Sequence, residues 1–313
     1  MKDILIIGAG AMGCLFAARL AKAGANVTLL DVDVGRVHGI EREGLVLIDD
    51  QGTSAVRPRA ALAKDHAGPA DLVVLFTKGY HSASAVQSIA HLVPFAPVAL
   101  TLQNGIGNAE ILAETFGADH VLMGTAHVPA DLQLPNRVIS HGFAHIHLGG
   151  FNRAAQAHAP EVAALLGAGG FDAIVAETIE VAVWEKLAFN AALNALAMVA
   201  RATNGEMNNE PGLRIAYAIV AETVAVAQAK GIGLDGAAIA REVARAVAEH
   251  AGHKASMLQD REAGRQTEIE FINGAVVREG VRHGIATPVA ATLTDLVRLI
   301  EANEATARLA LAG

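Results

Sequence analysis

Short apolar runs alternate with helical periodicity over the first half of the chain. Each run ends in glycine or polar residues, as expected for strands that are buried on both faces of a sheet. The predicted strands cover residues 3–7, 26–30, 71–77, 98–102 and 120–126, and helices are predicted over residues 11–23 and from Ser82 to a stop at Pro94. Strands that alternate with helices indicate a doubly wound parallel sheet, that is, a Rossmann-type α/β domain.

Two pairs of short runs depart from this alternation. Residues 45–48 and 55–57 have the pattern of a short antiparallel pair. Residues 137–140 and 144–148 lie so close together that we predict a hairpin.

The pattern changes near residue 176. From residue 177 onward, β-branched strand runs are almost absent and apolar residues recur at helical spacing. Helices are predicted over residues 178–202, 212–230, 235–249, 257–283 and 288–309, with breaks at Gly231, Gly252 and Pro288. We therefore predict a dinucleotide-binding α/β domain over residues 1–176, followed by an all-α helical domain over residues 177–313.

Composition and charge exclude several classes of protein. With 313 residues, of which 52% are hydrophobic, the chain can bury the cores of two domains. The net charge of −8 and the absence of a Lys/Arg run argue against nucleic-acid binding. The N-terminal apolar run is soon broken by glycine, and no uncharged stretch reaches the roughly 18 residues of a membrane span. We expect a cytoplasmic protein without a membrane partner, and a homodimer is compatible with the sequence.

A glycine-rich segment follows the first predicted strand and opens the first predicted helix. Its spacing is G-x-G-x-x-G, and an acidic residue lies at the end of the second strand. This arrangement lets the backbone approach a pyrophosphate at a helix N-terminus; the alternative is a tight turn without a ligand. The residues predicted to bind the cofactor are Gly8, Gly10, Ala11, Met12, Gly13 and Asp31.

Two other predicted strands end in polar residues at the same edge of the sheet. Lys78 follows one strand, and Asn104 follows the next within the loop Gln103-Asn104-Gly105. Because parallel sheets bind ligands beyond the carboxyl ends of their strands, we expect Lys78 and Asn104 to lie on the cofactor side. A solvated lysine and an ordinary Asn-Gly turn are the alternatives.

Three polar residues lie four apart in a predicted helix that is otherwise apolar. Lys186, Asn190 and Asn194 would form a ridge about 12 Å long. The lysine can polarise a ketone and protonate the alkoxide formed by hydride transfer, while the amides orient the substrate. The alternative is that Lys186 extends to water and the asparagines pair with the backbone.

A second polar group occupies residues 256–274. Ser256 and Gln259 have the spacing of a capping box at a helix start, where a carboxylate is also favoured, as in a 2-keto acid. Glu268 lies among Glu262, Arg265 and Glu270, which is also the pattern of an exposed helix face.

These segments resemble the ketopantoate reductase family from end to end. The resemblance rests on GAGAMG at 8–13, Lys78, QNGIGN at 103–108, the W-E-K-L-x-x-N-x-x-x-N helix and the S-M-L-Q-D to T-E-I-E-F-I-N-G segment. It implies reduction of 2-dehydropantoate to pantoate by hydride transfer from a nicotinamide cofactor. It further implies that Lys186 is the general acid. It implies that Glu268 is an active-site glutamate that also contacts the cofactor, and that Lys78 and Asn104 lie on the cofactor side. The substrate-binding residues that it implies are Asn190, Asn194, Ser256 and Asn104.

The chain departs from this family's pattern at two places. Asp31 lies where many members carry a basic or neutral residue and use NADPH, and a carboxylate there repels the 2′-phosphate of NADP. We therefore predict that NAD(H) is favoured over NADP(H), although Arg36 is a nearby cation. The residues before Ser256 are His253-Lys254-Ala255, where the family pattern has a small amide-type residue.

Two other functions stay open at this point. The family fold also includes NAD-dependent dehydrogenases of other D-2-hydroxy acids, so the small-molecule substrate could be another 2-keto acid. A protein of a different class would bind NAD(H) as a sensor without catalysis. A sensor has no need of a proton donor, so the ridge that begins at Lys186 argues against it.

Several residues with reactive side chains are assigned no central role. His141, His145 and His147 have no acidic or cysteine companion in sequence, so we expect no metal site. Cys14 lies on an apolar helix and is expected in the core. His127, after a strand end, is retained as an alternative acid.

Overall fold

The computed structural model describes the backbone of residues 1–312 and the side chains of residues 1–308. The chain forms two compact units, one made of residues 1–103 and 107–182 and the other of residues 104–106 and 183–313. The first is an α/β unit and the second is built from helices, as the sequence predicts.

The α/β unit is organised around an eight-stranded sheet. Its strands are β1 (Asp3–Ile7), β2 (Asn26–Asp31), β5 (Arg59–Leu62), β6 (Leu72–Leu75), β7 (Val98–Thr101), β8 (Val121–His127), β11 (His145–Gly150) and β12 (Asp172–Val175). Their order is β12-β11-β8-β7-β6-β1-β2-β5, and all neighbouring pairs are parallel except β8 with β11. The prediction of a mostly parallel, doubly wound sheet is confirmed.

Helices cover both faces of this sheet. They are α1 (Ala11–Lys22), α2 (Val34–Glu43), α3 (Ser82–Ser88), α4 (Asn108–Phe116) and α5 (Ala159–Ala168). Alternate residues of β1 enter different apolar clusters: Ile4 and Ile6 pack with residues of α1, whereas Leu5 and Ile7 pack with residues of α3 and α4. A strand buried on both faces needs no polar alternation, which explains the continuous apolar runs.

A second sheet in the same unit overturns one prediction. Strands β3 (Leu45–Asp49), β4 (Gly52–Val56), β9 (Asp131–Gln133) and β10 (Arg137–Ser140) form it in the order β4-β3-β10-β9. The antiparallel pairing of β3 with β4 is confirmed. The hairpin predicted for residues 137–148 is wrong, because β10 runs parallel to β3 while β11 pairs with β8.

A side chain outside the predicted hairpin holds the connection from β10 to β11. The Asp50 carboxylate accepts hydrogen bonds from His141 Nδ1 and Gly142 N, each at 2.8 Å. The connection is therefore attached to the second sheet, and the two strands diverge into different sheets. Strands β5, β9 and β12, which are short and half exposed, were missed by the sequence pattern.

The second unit contains long helices joined by short connections. They are α6 (Ile179–Ala200), which starts in the first unit, α7 (Glu210–Ala229), α8 (Gly236–Glu249), α9 (Ser256–Glu262), α10 (Asn273–His283) and α11 (Pro288–Ala312). The single helix predicted over residues 257–283 is wrong. It breaks after Glu262 at Gly264, whose φ of +67° is left-handed, and a 3₁₀ turn, Ile269–Phe271, precedes α10.

Two smaller differences concern α3 and α7. The helix predicted from Ser82 to Pro94 ends at Ser88 and continues as a 3₁₀ helix, Ala90–Phe95. Of the described helices, α7 alone is long and apolar enough to cross a membrane by length and composition. In the middle of α7, however, Glu222 accepts the backbone N–H groups of Val289 and Ala290 at the start of α11, so this face packs on protein.

Candidate active site

The glycine-rich segment forms an open cradle between β1 and α1. Gly8 has a φ of +101°, and a Cβ there would lie 2.9 Å from Phe76 C and Thr77 N, so this position requires glycine. A Cβ on Gly13 would overlap the carbonyl oxygen of Gly8. Gly10 caps α1 without a side-chain partner, and a Cβ there would meet nothing within 4 Å. Close packing beneath an open helix N-terminus fits a pyrophosphate group.

Ala11 and Met12 form the first helical positions of this cradle. Both are partly exposed, and Met12 also packs against the core of the α/β unit. Their backbone N–H groups belong to the first turn, where no earlier carbonyl of the helix can accept them. The predicted cofactor-binding residues at positions 8–13 are thus brought into one loop and helix start.

Asp31 holds this cradle from the end of β2. Its Oδ2 accepts from Ala9 N at 2.6 Å, and its Oδ1 accepts from Val32 N at 2.8 Å and Asp33 N at 3.0 Å. Ala9 is also held through its carbonyl, which accepts a hydrogen bond from Arg36 Nη1 at 2.7 Å. A carboxylate has about four lone-pair sites, so these three bonds leave Asp31 limited capacity for ribose hydroxyls.

Lys78 and Asn104 follow neighbouring strands, as predicted. Lys78 precedes a short 3₁₀ turn, Gly79–His81, after β6, and Asn104 lies in the loop after β7. Both side chains are partly exposed. Asn104 is nevertheless a member of the second unit, because the loop is attached there.

The attachment is a backbone contact with the segment that carries Glu268. Ile106 N donates to the Phe271 carbonyl at 3.0 Å, and Phe271 N donates to the Glu268 carbonyl at 3.0 Å. Gly105 has a φ of +85°, and a Cβ there would overlap the Phe271 carbonyl oxygen. The position of Asn104 therefore depends on Gly105 being glycine.

Lys186 and Glu268 interact electrostatically in the helical unit. Lys186 projects from α6 into dense surroundings but keeps part of its surface accessible. Burial lowers the pKa of Lys186 from its ordinary value of 10.5 to about 8, and the Glu268 carboxylate opposes this shift. A lysine whose pKa lies near neutrality can hold a proton at pH 7 and release it, as a general acid must. Glu268 is buried, so the exposed-face interpretation of this residue is wrong.

Asn194 and Ser256 contact each other across 62 residues of sequence. Ser256 Oγ donates to Asn194 Oδ1 at 2.8 Å, and the same oxygen accepts from Met257 N at 3.3 Å. The Asn194 amide group donates back to the Asn190 carbonyl at 3.2 Å. Asn194 is buried, whereas Asn190 remains partly exposed. Asn194 thus joins α6 to the first turn of α9.

This contact also corrects the predicted capping box. The N-cap of α9 is Ala255, no side chain caps it in sequence, and Ser256 is its first helical residue. Gln259 Nε2 reaches back to the Lys254 carbonyl at 2.8 Å instead of a backbone N–H. The capping oxygen comes from Asn194, on another helix, because α6 packs beside this turn.

One buried residue near the ridge was missed from sequence. Asn273 is fully buried at the start of α10, and its Nδ2 donates to the Ala191 carbonyl of α6 at 2.9 Å. This bond fixes α10 beside the helix that carries Lys186 and Asn190. The sequence signal for Asn273 is its place in the F-I-N-G segment that contributes to the family resemblance.

The histidines and the cysteine lie elsewhere. Two of the three histidines have an acidic partner that is remote in sequence: His141 pairs with Asp50 at 2.8 Å and His145 with Asp172 at 2.6 Å. Within residues 1–308, no group of three or more histidine, cysteine and acidic side chains could hold a metal. Burial raises the pKa of the Cys14 thiol to about 12, as expected for a core residue.

His127 and His253 are placed by the structure but gain no assigned role. His127 ends β8 with an exposed side chain. His253 is also exposed, and its carbonyl accepts from Asn204 N at 2.9 Å, three residues before Ser256.

Comparison with known proteins covers almost the whole chain. The model of the family "Ketopantoate reductase PanE/ApbA" matches residues 4–153, and that of its C-terminal domain matches residues 178–301. A 2-dehydropantoate 2-reductase of Halobacterium salinarum is 37% identical over 302 residues, covering 95% of this chain and 98% of the relative. One from Archaeoglobus fulgidus is 33% identical, with coverage of 97% and 99%.

Solved structures are similar over the same length. D-mandelate dehydrogenase, in a ternary structure with NADH and anilino(oxo)acetate, has a TM-score of 0.91 at 28% identity and covers 97% of this chain and 99% of its own. A ketopantoate reductase of Ralstonia eutropha JMP134 has a TM-score of 0.88 at 30% identity, with the same coverage.

Proposed function

We propose that this chain, which belongs to the ketopantoate reductase family, reduces 2-dehydropantoate to pantoate with a nicotinamide cofactor. The observation that carries the proposal is Lys186, whose pKa of about 8 is set by burial and by Glu268. Membership of a family does not by itself identify the group that carries out the reaction. A proton donor with this pKa is suited to the reduction of a ketone at neutral pH.

Reduction of the ketone adds a hydride to carbon and a proton to oxygen. Residues 8–13 would hold the pyrophosphate of a nicotinamide cofactor, which would supply the hydride. The Lys186 ammonium polarises the carbonyl oxygen and then donates its proton to it, leaving a neutral amine that is protonated again from solvent. Glu268 favours the protonated lysine between turnovers, because its charge raises the Lys186 pKa.

Asn190, Ser256 and Asn104 orient the substrate in this proposal, and Asn194 acts with Ser256. The Ser256 proton is held by Asn194 at 2.8 Å, so a substrate carboxylate must compete with that amide for it. Met257 N also donates to Asn194, which keeps the amide oxygen satisfied if the hydroxyl turns away.

Replacing Ser256 with alanine is expected to raise KM for the keto acid by about tenfold or more, because a hydrogen bond to a charged group contributes roughly 1.5–3 kcal/mol. The dissociation constant of the cofactor should change little. Steady-state kinetics and calorimetry measure the two quantities. Ser256→Thr keeps the hydroxyl and is the matched control. Weaker cofactor binding with an unchanged KM for the keto acid would contradict the assignment.

We expect NADH to be preferred over NADPH. Asp31 is partly buried beside the cradle, and its charge would repel the 2′-phosphate of NADP. Asp31→Asn removes that charge while keeping an acceptor for Ala9 N. This substitution should therefore narrow the ratio of kcat/KM for NADH over NADPH.

The ratio of kcat/KM for NADH over NADPH is the quantity that decides. Any change at Asp31 also disturbs its hydrogen bond from Ala9 N, which weakens the binding of both cofactors. Wild-type preference for NADPH would overturn the prediction. In that case Arg36, which donates to the Ala9 carbonyl, becomes the residue to test. Arg36→Ala should then weaken the binding of NADPH more than that of NADH.

A second candidate is an NAD-dependent D-2-hydroxy acid dehydrogenase. The TM-score of 0.91 to D-mandelate dehydrogenase, whose ternary structure includes NADH, favours it. A panel of 2-dehydropantoate, phenylglyoxylate and pyruvate, assayed with NADH and NADPH, separates the functions. The highest kcat/KM is expected for 2-dehydropantoate. A higher value for phenylglyoxylate would favour the second candidate, and cofactor binding without turnover would favour a sensor.

A further inference from the structure

A chain of side-chain hydrogen bonds links the end of strand β7 to the starts of two helices in the α/β unit. It begins at Thr101 at the end of β7, passes through Gln103 and Ser82, and ends at Asn108 at the start of α4. Ser82 is the first residue of α3 and is fully buried, and Asn108 and Thr101 are also buried. These bonds join side chains and are separate from the backbone hydrogen bonds that pair β7 with its neighbouring strands.

The direction of each hydrogen bond is set by its chemistry. Thr101 Oγ1 donates to Gln103 Oε1 at 2.9 Å, which turns the amide nitrogen of Gln103 toward β6. That nitrogen donates to the Thr77 carbonyl at 2.5 Å and to Ser82 Oγ at 3.0 Å. A carbonyl can only accept, so this orientation of the amide is the one that satisfies both ends.

The Thr77 residue reached by Gln103 also supports the glycine-rich cradle. Gly8 packs so closely on the Phe76–Thr77 peptide that a Cβ would lie 2.9 Å from both Phe76 C and Thr77 N. The Thr77 carbonyl, on the far side of the residue, belongs to the peptide that leads into Lys78. Gln103 therefore holds residues 76–78, the segment that contacts Gly8 and includes Lys78.

We infer that Gln103 is a positioning residue for the cofactor, acting through the Thr77 carbonyl on Gly8 and Lys78. The inference rests on the proposed use of this cradle by a nicotinamide cofactor. Phe76 N already donates to the Ile7 carbonyl at 2.8 Å, so the strand itself is secured without Gln103. The contribution of Gln103 falls beyond the last backbone bond of the strand, where the chain leaves β6 and leads into Lys78.

Substituting Gln103→Met keeps the length of the side chain and removes its donor. Loss of this hydrogen bond is expected to weaken NADH binding about tenfold. KM for the cofactor should rise in parallel. KM for the keto acid should stay within about twofold, because the ridge at Lys186 is unchanged and the loop of Asn104 is held separately by the bond from Ile106 N to the Phe271 carbonyl. Calorimetry with NADH and NADPH, together with steady-state kinetics, measures this separation.

A second pair of variants tests the same path without touching Gln103. Thr101→Val removes the hydroxyl that orients the amide but keeps the shape, and Thr101→Ser keeps the hydroxyl. We expect Thr101→Val to weaken cofactor binding several-fold and Thr101→Ser to bind as the wild type does. A purely structural role would lower the melting temperature without this difference in cofactor affinity.

The outcomes separate the inference from the function on which it rests. If the wild-type protein binds neither NADH nor NADPH, the proposed function fails. If the wild type binds and both Gln103→Met and Thr101→Val bind equally well, the inference about Gln103 is overturned. If Gln103→Met does not fold, the comparison of Thr101→Val with Thr101→Ser decides.

Discussion

Replacing Lys186 with methionine is expected to lower kcat for 2-dehydropantoate reduction by about 10²–10⁴, the range for loss of a general acid. Methionine fills a similar volume but carries no proton. Binding of the cofactor should be nearly unchanged, because the glycine-rich cradle lies in the other unit. Turnover near the wild-type rate would exclude Lys186 as the acid.

Two controls separate chemistry from folding. Lys186→Arg keeps a positive charge that polarises the carbonyl but scarcely releases its proton, so its rate should fall between those of the wild type and Lys186→Met. The buried ammonium has a lowered pKa and so destabilises the fold below about pH 8. At pH 7, Lys186→Met should therefore melt no lower than the wild type. Any increase in the melting temperature of Lys186→Met over the wild type should fade as the pH rises toward and beyond 10.5, because the lysine then becomes neutral in both the folded and the unfolded state.

The same lysine predicts the pH dependence of the reaction. Reduction requires the protonated form, so its rate should fall as pH rises through about 8, the pKa of Lys186. Oxidation of the hydroxy acid requires the neutral amine and should speed up over the same interval. Glu268→Gln removes the charge that raises this pKa, so the midpoint of the profile should move to lower pH. A profile without a limb near this pH would contradict the assignment.

Replacing Gly105 with alanine is expected to reduce kcat/KM by about 10²-fold, the loss that follows from a displacement of roughly 1 Å at a catalytic site. The Cβ would overlap the Phe271 carbonyl oxygen, and the φ of +85° is unfavourable for alanine. The loop must then leave Phe271, which displaces Asn104 from the segment that carries Glu268. Kinetics with both substrates and a thermal melt measure the effect.

Gly117 supplies a matched control for this substitution. Its φ is +86°, but a Cβ there would meet nothing within 4 Å. Gly117→Ala should therefore show only a backbone penalty of about 1–3 kcal/mol in the free energy of unfolding, with normal kinetics. If Gly105→Ala behaved like Gly117→Ala, the contact with Phe271 would have no part in positioning Asn104.

Local patterns of sequence determined the features that depend on neighbouring residues. A helix repeats every 3.6 residues, so the spacing of Lys186, Asn190 and Asn194 places them on one ridge of α6 without any knowledge of the fold. A parallel strand is buried on both faces, so the continuous apolar runs at β1 and β6 predicted the sheet. The glycine spacing at residues 8–13 likewise follows from the backbone's own geometry.

Tertiary structure decided which of these elements meet. Nothing local shows that β10 pairs with β3 instead of β11, because several apolar partners of equal length compete and packing selects among them. The break after Glu262 was hidden because residues 266–272 keep apolar residues at intervals that also fit a helix.

The chemistry of the site depends on partners that are remote in sequence. Ser256 has the local spacing of a capping box, yet its hydroxyl donates to Asn194 on another helix. The pKa of Lys186 is set by burial and by Glu268, and both arise only once the helices pack together. Periodicity acts over one or two turns of chain, whereas desolvation and hydrogen bonding act through space. The sequence therefore identified the polar residues of this protein, and only the packed structure determined what each of them contacts.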